Sequence, residues 1–226
     1  MYYFCIKLFN MIVNTLDSKN TLLNKFISEI RDVTVQKDSM RFRRNIERIG
    51  EVLAYELSQS LSYENKVVTT PLGTKIVPVP KNDIVLCSIL RAGLPLHNGL
   101  LNYFDDAENA FISAYRKHIN ETEFEIKVEY FASPNLDGKT LILADPMLAT
   151  GQSILSVYEG LKKHGTPKEI ILACVIGSSE AIELLEKHFP PTTKLWIATV
   201  DNKLNSKGYI VPGLGDAGDL AFGEKL

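Results

Sequence analysis

Between Thr21 and about Leu61 apolar residues recur at helical spacing: Leu22, Leu23, Phe26, Ile27 and Ile30, then Ile46, Ile49, Val52, Leu53 and Leu57. Side chains three or four positions apart share one face of a helix, so the spacing predicts two amphipathic helices joined near Asp38. Past Tyr63 the texture changes. VVTTPLGTKIVPV is rich in β-formers but carries prolines and a glycine that a central strand tolerates poorly, so residues 66–80 predict a hairpin or arm. Then come IVLCSIL (84–90), TLILAD (140–145) and EIILACVIG (169–177), nearly unbroken apolar runs of the kind buried on both faces of a parallel sheet. NAFISAYR (109–116) and KLWIATV (194–200) read as further strands, and FEIKVEYF (124–131) alternates, so one of its faces should meet water. Helical patterns fall between them at 94–103, 153–164 and 179–188. That alternation predicts an α/β fold: a twisted, mainly parallel, Rossmann-like sheet flanked by helices.

Composition narrows this further. A chain of 226 residues suits one domain, and 45% hydrophobic with 23% charged residues is ordinary for a globular protein. The formal charge of −2 and pI near 6.1 provide no basic field for nucleic acid, so an anionic ligand must be held by local donors. Cys5, Cys87 and Cys174 are scattered and odd in number, which argues against a disulfide framework or zinc site and fits a reducing, cytoplasmic setting. MYYFCIKLFNMIV is too short to span a membrane and lacks the basic start and cleavage site of a signal peptide. Residues 1–20 read either as an N-terminal extension or as an element packed on the body. His97, His118, His164 and His188 show no ligand spacing and read as solvated.

Three stretches carry chemistry. In open α/β sheets, ligands sit at the carboxyl ends of strands, where loops run into helix N-termini. In LILADPMLATGQS (141–153) a buried strand ends at Asp145 and a helix starts near Ser153. Between them, backbone N–H groups and the Thr150 and Ser153 hydroxyls can converge on a phosphate, with Gly151 allowing close approach. A capped turn with no ligand fits the same residues. In SILRAGLP (88–95), Arg91 follows another buried strand, and it must meet either an anion or a carboxylate such as Asp145. Arg116 closes the run AYR and, alone, reads as a solvated strand end. The last stretch, 205–226, holds five glycines with little periodicity, and should be floppy unless a ligand or the core pins it.

Taken in order, LRAGLPLHNGL, AYR, LADPMLATGQS and above all GYIVPGLGDAGDLAFG resemble the uracil phosphoribosyltransferase family from about Phe42 to Gly223. The resemblance implies a type I phosphoribosyltransferase fold and the reaction of uracil with phosphoribosyl pyrophosphate to give UMP and pyrophosphate. Magnesium would ride on the sugar pyrophosphate, with no direct protein ligand and Asp216 reaching it through water. By position, Ala149, Thr150, Gly151, Gln152 and Ser153 would hold the 5′-phosphate, and Asp145 would lie beneath the ribose hydroxyls. Arg91 and Arg116 would contact pyrophosphate. Residues 201–226 would form the uracil-binding tail through Tyr209, Ile210, Gly215, Asp216 and Ala217, with Met147 and Ala149 across the ring. The resemblance also implies a non-proline cis bond near Leu90–Arg91, catalysis by Arg91, Arg116 and Asp216, and a homodimer or higher oligomer with the arm across the contact.

Departures from the family pattern are local. Gln152 replaces a small residue, GSSEA (177–181) replaces an AAPEG-like turn, and Asn98 stands where aspartate is frequent. Members differ in whether GTP activates them. Two other readings remain at this point: a nucleotide- or RNA-binding regulator on the same fold, and a phosphoribosyltransferase for another base. Near-neutral charge opposes the first and the tail opposes the second.

Overall fold

The computed structural model describes residues 11–81, 83–118 and 124–225, with the side chains of 114–118 and 124–129 outside that description. Residues 12–15, for which the sequence allows either an extension or a packed element, form a short edge strand, β1 (Ile12–Thr15). Thr21 caps helix α1 (Leu22–Arg31): its hydroxyl accepts from Leu23 N–H, while Asn24 returns a carbonyl oxygen to Thr21 N–H. Asp38 caps α2 (Ser39–Ser58) through Arg41 N–H, so the joint falls where the periodicity places it. The arm is a regular hairpin, β2 (Tyr63–Thr70) paired with β3 (Gly73–Pro80), and it starts three residues earlier than expected.

The body follows as β4 (Ile84–Leu90), α3 (Gly93–Leu101), β5 (Glu108–His118), β6 (Phe124–Ala132), β7 (Thr140–Leu148), α4 (Gln152–Leu161), β8 (Glu169–Ser178), α5 (Ser179–His188) and β9 (Lys194–Asp201). The sheet order is β1-β9-β8-β7-β4-β5-β6, with β5–β6 the antiparallel pair. Alternation along the buried strands feeds two separate cores. Leu86, Ile142, Ala144, Ile171 and Ala173 pack with α1, α2 and α3, whereas Cys87, Leu141, Leu143, Leu172 and Cys174 pack with α4 and α5. This explains why those strands read as continuous apolar runs: neither face meets water.

One close approach fixes α3 and therefore the loop in front of it. A Cβ on Gly99 would lie 2.0 Å from the Glu47 carbonyl oxygen, and one on Gly50 would lie 2.8 Å from that of Leu96. The two helices cross backbone on backbone, where any side chain would force them apart. The glycine-rich tail is ordered by local structure: β10 (Lys203–Leu204) pairs with β11 (Ile210–Val211), a cis Val211–Pro212 bond follows, and α6 (Ala217–Phe222) ends it.

Candidate active site

From β4 the chain winds outward through α3 to β5, and from β7 it winds the opposite way through α4 to β8. The two strands are neighbours, paired in parallel from Ile84↔Thr140 to Ser88↔Ala144. Loops leaving their carboxyl ends diverge, and a crevice at such a reversal is the ligand position of open α/β sheets. One wall is Arg91–Ala92 leading into α3; the Leu90–Arg91 peptide is cis, as the resemblance implied. The other wall is Ala149–Gly151 leading into α4.

β7 does not stop at Asp145 but continues through Pro146 to Leu148. Proline lacks an N–H and reads as a terminator, yet β4 pairs with β7 only as far as Ala144, leaving Pro146 outside that ladder. Asp145 is 9% exposed and its Oδ1 accepts from Met147 N–H at 3.3 Å. Behind it, burial and then the Asp145 carboxylate push the Cys174 thiol well above its ordinary value. At Gly151 φ is +77°, the left-handed turn that starts α4. Gln152 is therefore an ordinary first helical residue, exposed, with no need of glycine; the Thr150 hydroxyl lies 3.5 Å from its N–H. The first-turn N–H groups of α4 have no partner further back in the helix, which leaves donors and the positive end of the helix dipole at this loop.

The carboxylate that Arg91 meets is Asp219, at 3.2 Å, not the Asp145 considered from sequence. The same Nη2 also donates to the Gly223 carbonyl at 3.0 Å. Arg43 holds the Ala221 carbonyl at 2.6 Å, so α6 is pinned to the Arg91 side of the crevice. Asp216 caps α6, accepting from Asp219 N–H at 3.0 Å. Asp201 braces the tail as well: it receives Arg31 at 2.8 and 2.9 Å and Gly213 N–H at 2.9 Å. Burial there opposes charging, but the hydrogen bonds from Arg31 and Gly213 outweigh it and hold the carboxyl below its usual value.

Met147 and Ala149 belong to the same apolar cluster as Ile210, Leu214, Ala217 and Ala221, so the tail and the β7 loop feed the core on the same side of the sheet. Tyr209 and Gly215 are exposed. The tail is thus pinned by the core itself. Arg116 sits in β5 opposite Ile126, beyond the level where Leu90 pairs with Ser113, on the two-stranded β5–β6 ribbon; its side chain lies outside the described residues.

His97 is not solvated. It is 2% exposed on α3, its Nδ1 2.8 Å from the Ser88 hydroxyl and its ring against Phe111, and burial pushes its pKa down. It belongs to the buried face of α3 with Pro95, Leu96, Gly99 and Leu100, a burial that the lack of ligand spacing could not reveal. His164 is half-buried and stacks on Phe131, while His188 is exposed as expected; His118 lies outside the described side chains. Sequence reading also missed Arg31, Arg43 and Asp219, whose partners lie more than a hundred residues away.

Comparison with known proteins gives one answer. The profile of the uracil phosphoribosyltransferase family matches residues 17–224. A uracil phosphoribosyltransferase of Porphyromonas gingivalis is 52% identical over 216 residues, covering 96% of this chain and 100% of that protein. One from Pyrococcus furiosus is 37% identical over 205 residues, covering 89% and 86%. The solved structure of the AQ2163 protein from Aquifex aeolicus shares 30% identity at a TM-score of 0.83, covering 94% of this chain and 98% of that one.

Proposed function

Since the chain belongs to the uracil phosphoribosyltransferase family, we propose that its crevice transfers the phosphoribosyl group of phosphoribosyl pyrophosphate to uracil. The products are UMP and pyrophosphate. The observation that carries this reading is the meeting, at one sheet reversal, of a helix-opening loop, an arginine and a glycine-rich tail. The 5′-phosphate lies on residues 149–153, where main-chain N–H groups, Thr150, Ser153 and the α4 dipole receive it. Asp145 faces the ribose hydroxyls. Arg91 and Arg116 meet the pyrophosphate; both described bonds of Arg91 run through Nη2, and a guanidinium has donors to spare for an anion.

A pyrimidine presents an edge of carbonyl oxygens and N–H that main-chain groups can match. Tyr209, Ile210, Gly215, Asp216 and Ala217 provide that edge, with Met147 and Ala149 on the opposite side of the ring. In the reaction the bond from the anomeric carbon to pyrophosphate oxygen breaks and a bond to the uracil ring nitrogen forms, through an oxocarbenium-like transition state. The bonding pair leaves with pyrophosphate, where Arg91 and Arg116 stabilise the growing negative charge. The proton of the uracil nitrogen passes to Asp216, which also orients the ring. Magnesium would arrive on the sugar diphosphate, and Asp216 would reach it through water. Bound in that way, magnesium supplies charge neutralisation on the diphosphate.

The hairpin supports a homo-oligomer. Every residue of β2 is exposed, Leu72 at its tip is 99% exposed, and a lone two-stranded ribbon is marginally stable in water. A second copy of the chain covers its apolar side. A cytoplasmic setting agrees with the scattered cysteines, of which Cys87 and Cys174 are buried free thiols; among the described residues no helix is long and apolar enough to cross a membrane.

The test is turnover with labelled base. Purified protein with phosphoribosyl pyrophosphate and magnesium should convert uracil to UMP, and prefer it to cytosine by a factor of about 10⁴, since an amine in place of a carbonyl leaves main-chain groups unpaired. Orotate and hypoxanthine should give no product. Absence of UMP, or preferential use of another base, would overturn the reading.

A further inference from the structure

The GSSEA segment contains a hydroxyl whose position bears on the phosphate loop. Ser178, the last residue of β8, is fully buried. Its Oγ donates to the Ala149 carbonyl oxygen at 2.6 Å and accepts from Ala181 N–H at 3.0 Å, so one hydroxyl both straps the loop and caps α5. The surroundings leave little freedom to either partner. A Cβ on Gly177 would lie 2.7 Å from Ile197 Cδ1 and 3.3 Å from Leu148 Cβ, which fixes the end of β8 against the end of β7. A Cβ on Gly151 would lie 3.4 Å from the Ala181 carbonyl oxygen and 3.3 Å from Leu184 Cδ2, so the loop rests on the first turns of α5.

In a trans peptide the C=O and the following N–H point in opposite directions. The Ala149 carbonyl is turned inward to Ser178, and the Thr150 N–H is therefore turned outward, toward the crevice. Were that peptide to flip, it would present a carbonyl oxygen to the same space and repel an anion there. The neighbouring turn is already in the left-handed region at Gly151, with φ of +77°, which leaves the loop without a regular ladder of its own to fix this peptide.

We propose that Ser178 is a positioning residue for phosphate recognition: by holding the Ala149 carbonyl it aims the Thr150 N–H at the 5′-phosphate of the sugar substrate. This rests on the reading of the crevice as a phosphoribosyltransferase site, and it assigns the GSSEA departure a task that an alanine at residue 178 could not perform. Ser178 touches no substrate; it acts through the loop.

The test separates the two anion subsites without requiring turnover. Binding of ribose 5-phosphate and of magnesium pyrophosphate is measured by calorimetry for the unaltered protein, Ser178→Ala and Ser178→Cys. The alanine variant is expected to bind ribose 5-phosphate at least tenfold more weakly with pyrophosphate affinity unchanged within about twofold; cysteine, a weak donor of similar size, falls between. In steady-state assays the loss should appear in the KM for phosphoribosyl pyrophosphate and not in that for uracil. A merely structural role would lower the melting temperature and the active fraction and leave the ratio of the two affinities where it was. Equal weakening of both ligands, or no change in either, overturns the proposal; if the alanine variant does not fold, the cysteine variant decides on the same criterion. Failure of the unaltered protein to bind either ligand would instead bring down the phosphoribosyltransferase reading, and this inference with it.

Discussion

Asp216 uses one carboxylate oxygen to cap α6, which makes its charge separable from its structural task. Asparagine caps a helix about as well as aspartate but cannot accept a proton, so Asp216→Asn keeps the turn and removes the base. The expected result is a fall in kcat of about 10²-fold with the melting temperature within a degree or two, the usual range for loss of a general base; unchanged turnover would take Asp216 out of the mechanism. His97 makes a second prediction. Burial depresses its folded pKa below the unfolded value of about 6.5, so the unfolded chain binds the extra proton first. Its contribution to stability is therefore complete above about pH 6.5 and is lost as the pH falls through and below that value. Denaturant titrations at pH 7.5 and 5.5 should show a loss for the unaltered protein and a smaller one for His97→Gln; equal losses would assign the effect elsewhere. Arg91 is legible in the sequence because it follows an apolar strand, where a charge needs a reason. Arg31 is not, since the 170 residues separating it from Asp201 leave no local pattern.

Besides its own turns and short ladder, the tail is tied to other elements. Arg31 on α1 reaches Asp201 at the end of β9, and Asp201 also receives Gly213 N–H, so one carboxylate ties a helix, a strand and the glycine-rich tail. Asp201→Ala would leave the Arg31 guanidinium, 22% exposed, without its carboxylate. A loss of roughly 2–3 kcal/mol is expected, below the figure for a fully buried pair because of that exposure. Loosening should appear mainly in uracil binding: KM for uracil up about tenfold or more, KM for phosphoribosyl pyrophosphate changed less than threefold. A uniform loss in both would mean that the whole crevice, not the tail, had moved. The depressed Asp201 carboxyl favours the folded state above its unfolded pKa of about 4, and that stability is lost as pH falls through its lower folded value. The central strands β4, β7 and β8 are legible as runs of apolar residues, because their shortness and their valines and isoleucines favour a strand covered on both faces over a buried helix. Boundaries are less legible where a proline looks like a stop: Pro146 is accommodated because β4 has already left β7 at Ala144.

At the scale of the molecule, the order of strands matters more than any one motif. The reversal between β4 and β7 makes the Arg91 loop and the 149–153 loop leave neighbouring strand ends, and nothing in local periodicity announces which strands will be neighbours. Resemblance supplied that placement; the alternation of helices and strands supplied only the class. The arm points to a contact beyond the single chain. Sedimentation should give at least twice the chain mass of 25.3 kDa, and Leu72→Asp combined with Ile76→Asp should shift it to smaller species; an unaltered protein that sediments as a monomer would contradict the arm's role. The central claim is geometric, that sugar phosphate and base are held in one crevice by main-chain groups of two loops and the tail. A crystal structure of the UMP complex tests it most directly. The account predicts phosphate oxygens about 3 Å from main-chain N–H groups within 150–153 and the uracil edge paired with the backbone of 209–217. UMP bound away from that crevice, or with its base edge read by side chains elsewhere, would contradict it.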